Sequence, residues 1–304
     1  MSDRRTLATA LRNAAELGEL EVHYQPELSF ATGEITGVEA LLRWYSRSFG
    51  LLWPADFLPV ADSEDGLTAS LGSVVLLTVG REASTWFAAA PTTQRTVWVN
   101  LSGTELADSA ALRAAEATVV ATGLPAGALG LHLPAQTLAD AGSALLPALR
   151  RAHAAGIRLA ADGVHPGQAD TLGAHPLDVL VLARDVVRSL DSDLGRRHEV
   201  EVLTHAAHEA GRVVASVGVE SWAEADVLAQ LGVDRATGYL FGAPQRADRM
   251  RWLLAQSAES WRGTFATDEG ARAASSLPWL HDALPASALS RAAEPVASRW
   301  LTAV

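Results

Sequence analysis

The chain has 304 residues, 49% hydrophobic and 19% charged, which describes a globular protein with material for one large domain or two small ones. Its net charge is −11 and no basic run could track a phosphate backbone, so a nucleic acid polymer is not an expected partner. Cysteine is absent, which excludes disulfides and thiolate chemistry, and so is lysine, so every side-chain cation fixed at neutral pH is an arginine.

Residues 1–22 are polar and amphipathic with no signal-peptide core. No apolar stretch reaches the roughly 18 residues that span a bilayer, so cytoplasmic residence is expected. The first two expected strands, Glu21–Pro26 and Ile35–Trp44, are joined by SFATGEITG. That link has no room for a crossover helix, so the two strands should form an antiparallel hairpin. Beyond them, helix-period segments alternate with apolar strand-like runs. A helix is expected at Leu67–Phe87, a strand at Thr96–Leu101, a helix at Ser109–Ala121 and a strand at Ala128–Leu133. Next come a helix at Ser143–Ala155, strands at Ile157–Asp162 and Asp178–Leu182, and a helix at Gly195–Ala210. A strand at Arg212–Gly218, a helix at Ser221–Leu231, a strand at Arg235–Phe241 and a helix at Gln245–Ser257 complete the pattern. Such repetition over about 250 residues predicts an α/β fold, closed as a TIM-like (β/α)8 barrel with one antiparallel strand. The barrel should occupy residues 1–257. Residues 258–304 are Ala- and Pro-rich but carry Trp261, Trp279 and Trp300, and are expected to pack on the barrel or on a partner.

Polar residues at the C-terminal ends of barrel strands are the candidates for a site, because barrel sites are built there. They are Glu39 within GVEALLRW, Asn100 ending VWVN, His132 in LGLHL, Asp162 ending IRLAAD and Glu220 after VVASVGV. Glu39 and Arg43 also place two opposite charges in an otherwise apolar run, either as a strand-end salt bridge or as groups facing a ligand. Asn100 and Asp162 are also suited to helix N-caps.

Four ordered motifs carry a family resemblance. HYQPEL followed by TGEITGVEALLRW, then LLWPADFLPVADSEDGL, VNLSGTEL and GVDRATGYLFGAP resemble the successive signatures of the EAL domain, a family of bacterial cyclic-di-GMP phosphodiesterases. The resemblance covers roughly Leu11 to Met250 and implies the same barrel with its antiparallel strand. It also implies two-metal hydrolysis of a phosphodiester, in which metals polarise the phosphate and lower the pKa of a bridging water.

Carried over residue by residue, the family's metal ligands persist as Glu39, Asn100 and Asp162. Other catalytic positions differ. A ligating Glu falls on His132 and a second Glu on Ala135, and the Asp that joins the metals falls on Gly163. The essential lysine falls on Val181, the Asp after it on Ala183, the first Glu of a Glu-Gly-Val-Glu turn on Val217, and a Gln on Thr237. Gly163, Val181 and Val217 offer no donor, and loss of one catalytic electrostatic group typically costs ~10²–10³ in rate. His132 could hold a transition ion but does not suit octahedral magnesium.

The family's ligand contacts map onto Gln25, Leu41, Arg43, Phe57, Pro59, Asp62 and Glu220. A guanidinium for phosphate and a carboxylate for a guanine edge can bind a dinucleotide without metal. The expectation is therefore a degenerate EAL domain that has lost catalysis and acts as a cyclic-di-GMP receptor or regulatory module, with no required cofactor. The alternatives are a protein-docking module that has abandoned the nucleotide, and a weak phosphodiesterase using Mg or Mn at Glu39, Asn100, His132 and Asp162.

Overall fold

The computed structural model describes residues 2–64, 66–89, 95–190 and 192–256. The expected C-terminal tail, 258–304, with its three tryptophans, lies outside them.

Ten strands form one sheet. They are β1 (Leu20–Ser29), β2 (Ile35–Ser46), β3 (Gly50–Leu52), β4 (Thr96–Asn100), β5 (Leu129–Pro134), β6 (Arg158–Val164), β7 (Val179–Leu182), β8 (Val213–Val217), β9 (Arg235–Thr237) and β10 (Gln245–Arg246). The sheet closes through β1–β2–β4–β5–β6–β7–β8–β9 and back to β1, with β3 and β10 as appendages. Every pairing from β2 to β9 around the barrel is parallel, and β1 is antiparallel to both its neighbours. The short link between β1 and β2 turns at Gly33, whose φ of +65° a side chain would strain. The eight-stranded TIM-like barrel with one antiparallel strand is thus observed.

The helices are α1 (Ser2–Ala14), α2 (Pro54–Ala61), α3 (Leu67–Ala89), α4 (Gly103–Asp108), α5 (Ala110–Thr122), α6 (Ala135–Ala141), α7 (Leu146–Ala154), α8 (Ala169–Leu172), α9 (Arg184–Ser189), α10 (Leu194–Glu209), α11 (Trp222–Gln230) and α12 (Ala247–Ala255). Three expectations differ from what is seen. The helix expected at Gln245–Ser257 begins at Ala247, because Gln245 and Arg246 pair with β1 as β10, and Ser257 lies outside the described residues. The expected Ser143–Ala155 helix begins as a 3-10 turn at Gly142–Leu145, and α7 starts after it with Pro147 in its first turn, where a missing N–H costs nothing. The expected Arg235–Phe241 strand stops at Thr237. There Gly238 turns so tightly against the loop after β8 that a Cβ would lie 2.0 Å from the Val219 carbonyl oxygen.

The apolar residues divide into two cores. The larger lies between the outward faces of the strands and the helices, with Trp44, Phe57, Leu76, Leu112 and Phe241 fully buried. The smaller fills the barrel lumen: Trp98, Ala160, Val179, Val181 and Ala215, with Val213 and Val217 packed against them. Trp98 fits because β5 carries Gly130 opposite it in register; a Cβ there would lie 2.3 Å from the indole ring. At Gly37, lumen side chains converge again, for a Cβ would meet Trp98 Nε1 at 3.0 Å and Glu27 Oε1 at 3.1 Å. Glu27 is 4% exposed and accepts hydrogen bonds from Thr36 (2.8 Å) and Arg235 (3.3 Å), so its buried charge is paired.

Candidate functional site

Strand register brings Gln25, Glu39, Asn100 and His132 to neighbouring positions on β1, β2, β4 and β5. Gln25 is opposite Glu39, and Asn100 is opposite His132. The Asn100 side-chain amide links two of them. Its Nδ2 donates to Glu39 Oε1 at 2.7 Å, and its Oδ1 lies 3.2 Å from His132 Nδ1. An amide oxygen only accepts, so His132 carries a proton on Nδ1. The ring of His132 stacks on Trp98, with centroids 4.9 Å apart, and is 6% exposed. Gln25 is likewise committed, donating from Nε2 to the Gly242 carbonyl at 2.9 Å. Asn100 is not a helix cap; Ser102 caps α4, through a reciprocal bond with Glu105.

The other half of the barrel mouth has a different character. Asp162 lies within β6, in register with Val181, and is no cap either. The pairing slips between Asp162 and Val164, and Gly163 occupies that bulge at φ +76°, a conformation that suits glycine. Val181 and Val217 belong to the lumen cluster around Trp98, and Thr237, 6% exposed, pairs with both Val217 and Glu27. Ala135 opens α6 and Ala183 caps α9, both buried. A pair of divalent ions needs several converging oxygen donors. Here Asn100 bonds both Glu39 and His132, Asp162 follows on β6, the positions beyond it on β7 and β8 are aliphatic, and no three His, Asp or Glu side chains among the described residues are placed to hold an ion. The donor set does not fit a two-metal centre.

Arg43 lies on the same face of β2 as Glu39, four residues further on. Four residues of strand span about 13 Å, too far for an ion pair. Of the two alternatives for this pair, the salt bridge is accordingly absent: Glu39 bonds Asn100. Arg43 is 3% exposed, donates from Nη1 to the Leu42 carbonyl at 2.9 Å and stacks on Trp53, with Cζ 4.2 Å from the ring centroid. Burial pulls its pKa below the ordinary arginine value, against the opposing influence of Tyr239, Tyr45 and Glu39. Among the described residues it has no carboxylate ion-pair partner. A buried, unpaired guanidinium is costly and calls for an anion.

Two positions before Arg43 on β2, Leu41 lines a cleft of about 210 Å³ together with Pro54, Leu58, Asp62, Asn100 and Glu105, among others. The cleft brings together the expected ligand residues Leu41 and Asp62. Phe57 is elsewhere, fully buried edge-on against Trp44 at 5.9 Å. Pro59 is exposed on α2, with its carbonyl accepting from Arg4 of α1. Glu220 stands on the rim, half-exposed, 3.3 Å from Arg184, whose stem runs across Gly218.

Comparison with known proteins fixes the family. The EAL domain model matches residues 8–244. The chain belongs to the EAL domain family. An uncharacterised protein of Azorhizobium caulinodans is 31% identical over 252 residues, covering 81% of this chain and 34% of its own. An uncharacterised Mycobacterium tuberculosis protein, Rv1357c, is 30% identical over 263 residues, 86% of this chain and 80% of its own. The cyclic di-GMP phosphodiesterase PdeR of Escherichia coli is 29% identical over 243 residues, 79% of this chain and 36% of its own. This EAL domain spans about a third of the length of the first curated relatives it matches. Among solved structures, the PaMucR phosphodiesterase in complex with c-di-GMP superposes with a TM-score of 0.75 at 28% identity, over 81% of this chain and 99% of its own. The cAMP- and cyclic-di-GMP-bound EAL enzyme Bd1971 gives 0.74 at 25%, over 83% and 69%.

Three residues that shape the mouth of this EAL domain were missed at the level of sequence. Trp98 was legible in principle, since it alternates with Asn100 along β4 and must share its face. Arg184 follows directly on β7, where barrel sites are built. Trp53 had no signal beyond standing next to a family motif, because its contact with Arg43 crosses the β2–β3 hairpin.

Proposed function

We propose that this EAL domain is a receptor for cyclic di-GMP that does not hydrolyse it. Arg43 carries the reading: a buried guanidinium with no carboxylate ion-pair partner among the described residues, two positions along β2 from Leu41, which lines a cleft with Asp62. Such a fork is suited to phosphate oxygens. The family, with relatives named as cyclic-di-GMP phosphodiesterases or solved with that ligand, supplies the ligand class. The valines at 181 and 217, inside the Trp98 cluster, support loss of hydrolysis, because aliphatic groups can neither hold an ion nor activate water. Asp62 is offered for a guanine N–H edge, with Glu220 on the far rim as a second carboxylate.

The test is calorimetric titration with cyclic di-GMP, with and without manganese, alongside a turnover assay for linear pGpG. Binding in both conditions, weakened at least tenfold by Arg43→Ala and without turnover, is the expected outcome. Absence of binding at high micromolar ligand by folded protein refutes the receptor. Manganese-dependent pGpG formation abolished by Glu39→Ala would instead establish a weak phosphodiesterase. The docking reading draws on Tyr45, Phe49 and Leu51, all exposed on the β2–β3 hairpin, and a stable complex insensitive to cyclic di-GMP would favour it.

A further inference from the structure

The guanidinium of Arg43 presents two different surfaces. Its plane is covered on one side by the Trp53 indole at 4.2 Å, while of its in-plane N–H groups only those on Nη1 reach a described acceptor, the Leu42 carbonyl. Trp53 is held at the junction of β3 and α2. Its N–H donates to Asp56 Oδ2 at 2.8 Å, its carbonyl accepts from the Asp56 N–H at 2.8 Å, and Pro54 follows it. Backbone and neighbour are therefore fixed, and the ring is backed by a cation. Yet Trp53 is 46% exposed while Arg43 is 3% exposed. The arginine covers one face of the indole and leaves the other turned to solvent. Pro54, the next residue, lines the cleft with Leu41 and Asp62.

A large aromatic surface left in water, supported from behind and bordering a cation with no carboxylate partner among the described residues, is the arrangement that a phosphate-linked base can satisfy. The phosphate meets the guanidinium edge, and the flat base covers the exposed indole. We propose that Trp53 is the stacking platform for a purine base of the ligand whose phosphate Arg43 holds. This rests on the receptor reading above and adds a base contact to it. Stacking of a base on an aromatic residue is worth about 1–3 kcal/mol by alanine substitution, a roughly 5- to 150-fold change in affinity.

Full-length protein is titrated with cyclic di-GMP by calorimetry and by tryptophan emission, as wild type, Trp53→Ala, Trp53→Phe and Arg43→Ala. Trp53→Ala should weaken binding by about 10- to 100-fold, while Trp53→Phe, which keeps a π face, should stay within a few-fold of wild type. Trp53→Phe should also bind with less quenching of tryptophan emission than wild type, since the stacked indole is gone. That readout decides the matter even if Trp53→Ala does not fold. Binding by Trp53→Ala as tight as wild type refutes the platform, and tighter binding would make Trp53 a lid over Arg43 instead. Quenching unchanged in Trp53→Phe also refutes it. Wild-type protein that binds no cyclic di-GMP overturns the receptor and the platform together. Loss confined to Arg43→Ala overturns the platform alone.

Discussion

Gly130→Ala is a direct probe of the filled lumen. The added Cβ would lie 2.3 and 2.4 Å from Cε3 and Cζ3 of Trp98 and 2.7 Å from Thr96 Cγ2. Carbon atoms reach their optimum near 3.5–4.0 Å, so the indole or the strand must move by about 1 Å or more. The indole has little freedom: it is 1% exposed, bears the His132 ring and is surrounded by Ala160, Val179, Val181 and Ala215. Gly130 has no left-handed backbone requirement, so only the steric cost acts. Overpacking of this kind costs about 1–3 kcal/mol, which for a barrel of this size lowers the melting temperature by roughly 3–10 °C. Trp98→Ala alone should cost about 3–5 kcal/mol, through the cavity it leaves. In that background Gly130→Ala should be neutral or stabilising, because its methyl enters vacated space, giving a coupling of about 1–3 kcal/mol in a double-mutant cycle. Urea unfolding of the four proteins measures this. A Gly130→Ala cost under about 0.5 kcal/mol, or an equal cost in both backgrounds, would show that Trp98 does not occupy the lumen as described.

Burial raises the Glu105 carboxyl pKa, opposed by its bonds to Ser102 and reinforced by Asp62; burial likewise raises Glu82, opposed by Tyr24. A carboxyl whose folded pKa lies above its unfolded one stabilises most below the ordinary glutamate value of about 4.3 and loses that stabilisation as pH rises through the folded value. Urea midpoints across that range should therefore decline less steeply with pH in Glu105→Gln and Glu82→Gln than in wild type. Glu27→Ala strands Arg235, which is 17% exposed at the side chain, and should cost about 3–5 kcal/mol by urea unfolding, with Glu27→Gln retaining part of that. Asn100→Asp removes the donor to Glu39 and sets two carboxyl groups against each other, and should lower the urea midpoint at neutral pH, with recovery in the Glu39→Gln background.

Much of the fold was legible because its signals are local. The nine-residue link SFATGEITG leaves only a hairpin between the first strands, and the later alternation of strand and helix leaves only crossovers. The short pieces were not: β3 has three residues, and α2 contains Pro59. The candidate site was legible where neighbours on adjacent strands share a face, as Glu39, Asn100 and His132 do. It was not legible where a side chain's direction depends on packing around a helix. Phe57 lies in a motif whose resemblance implies ligand contact, yet its ring turns inward against Trp44, because position 57 is on the buried side of α2. Of the two alternatives open for Glu39 and Arg43, geometry removes a salt bridge between them, because a shared strand face does not bring residues four apart into contact.

The polar groups of the mouth are not spread around its circumference. Gln25, Glu39, Asn100, His132 and Asp162 occupy β1, β2, β4, β5 and β6 in succession, with Arg43 rising from β2, whereas β7 and β8 contribute Val181, Ala215 and Val217. In the receptor proposed above, a ligand with two phosphates would be held chiefly at one of them, near Arg43. On the β8 side of the rim, Arg184 is already paired with Glu220 in solvent, and such an exposed pair contributes about 0–1 kcal/mol. Catalysis by two ions needs charge on both sides of the scissile bond, but recognition needs only one firm anion contact and a surface for the bases. The one-sided distribution of charge is what the proposed receptor, rather than a hydrolase, would require. On β7 and β8 the inward positions are filled by valine and alanine packed around the indole of Trp98, which gives the barrel a second core.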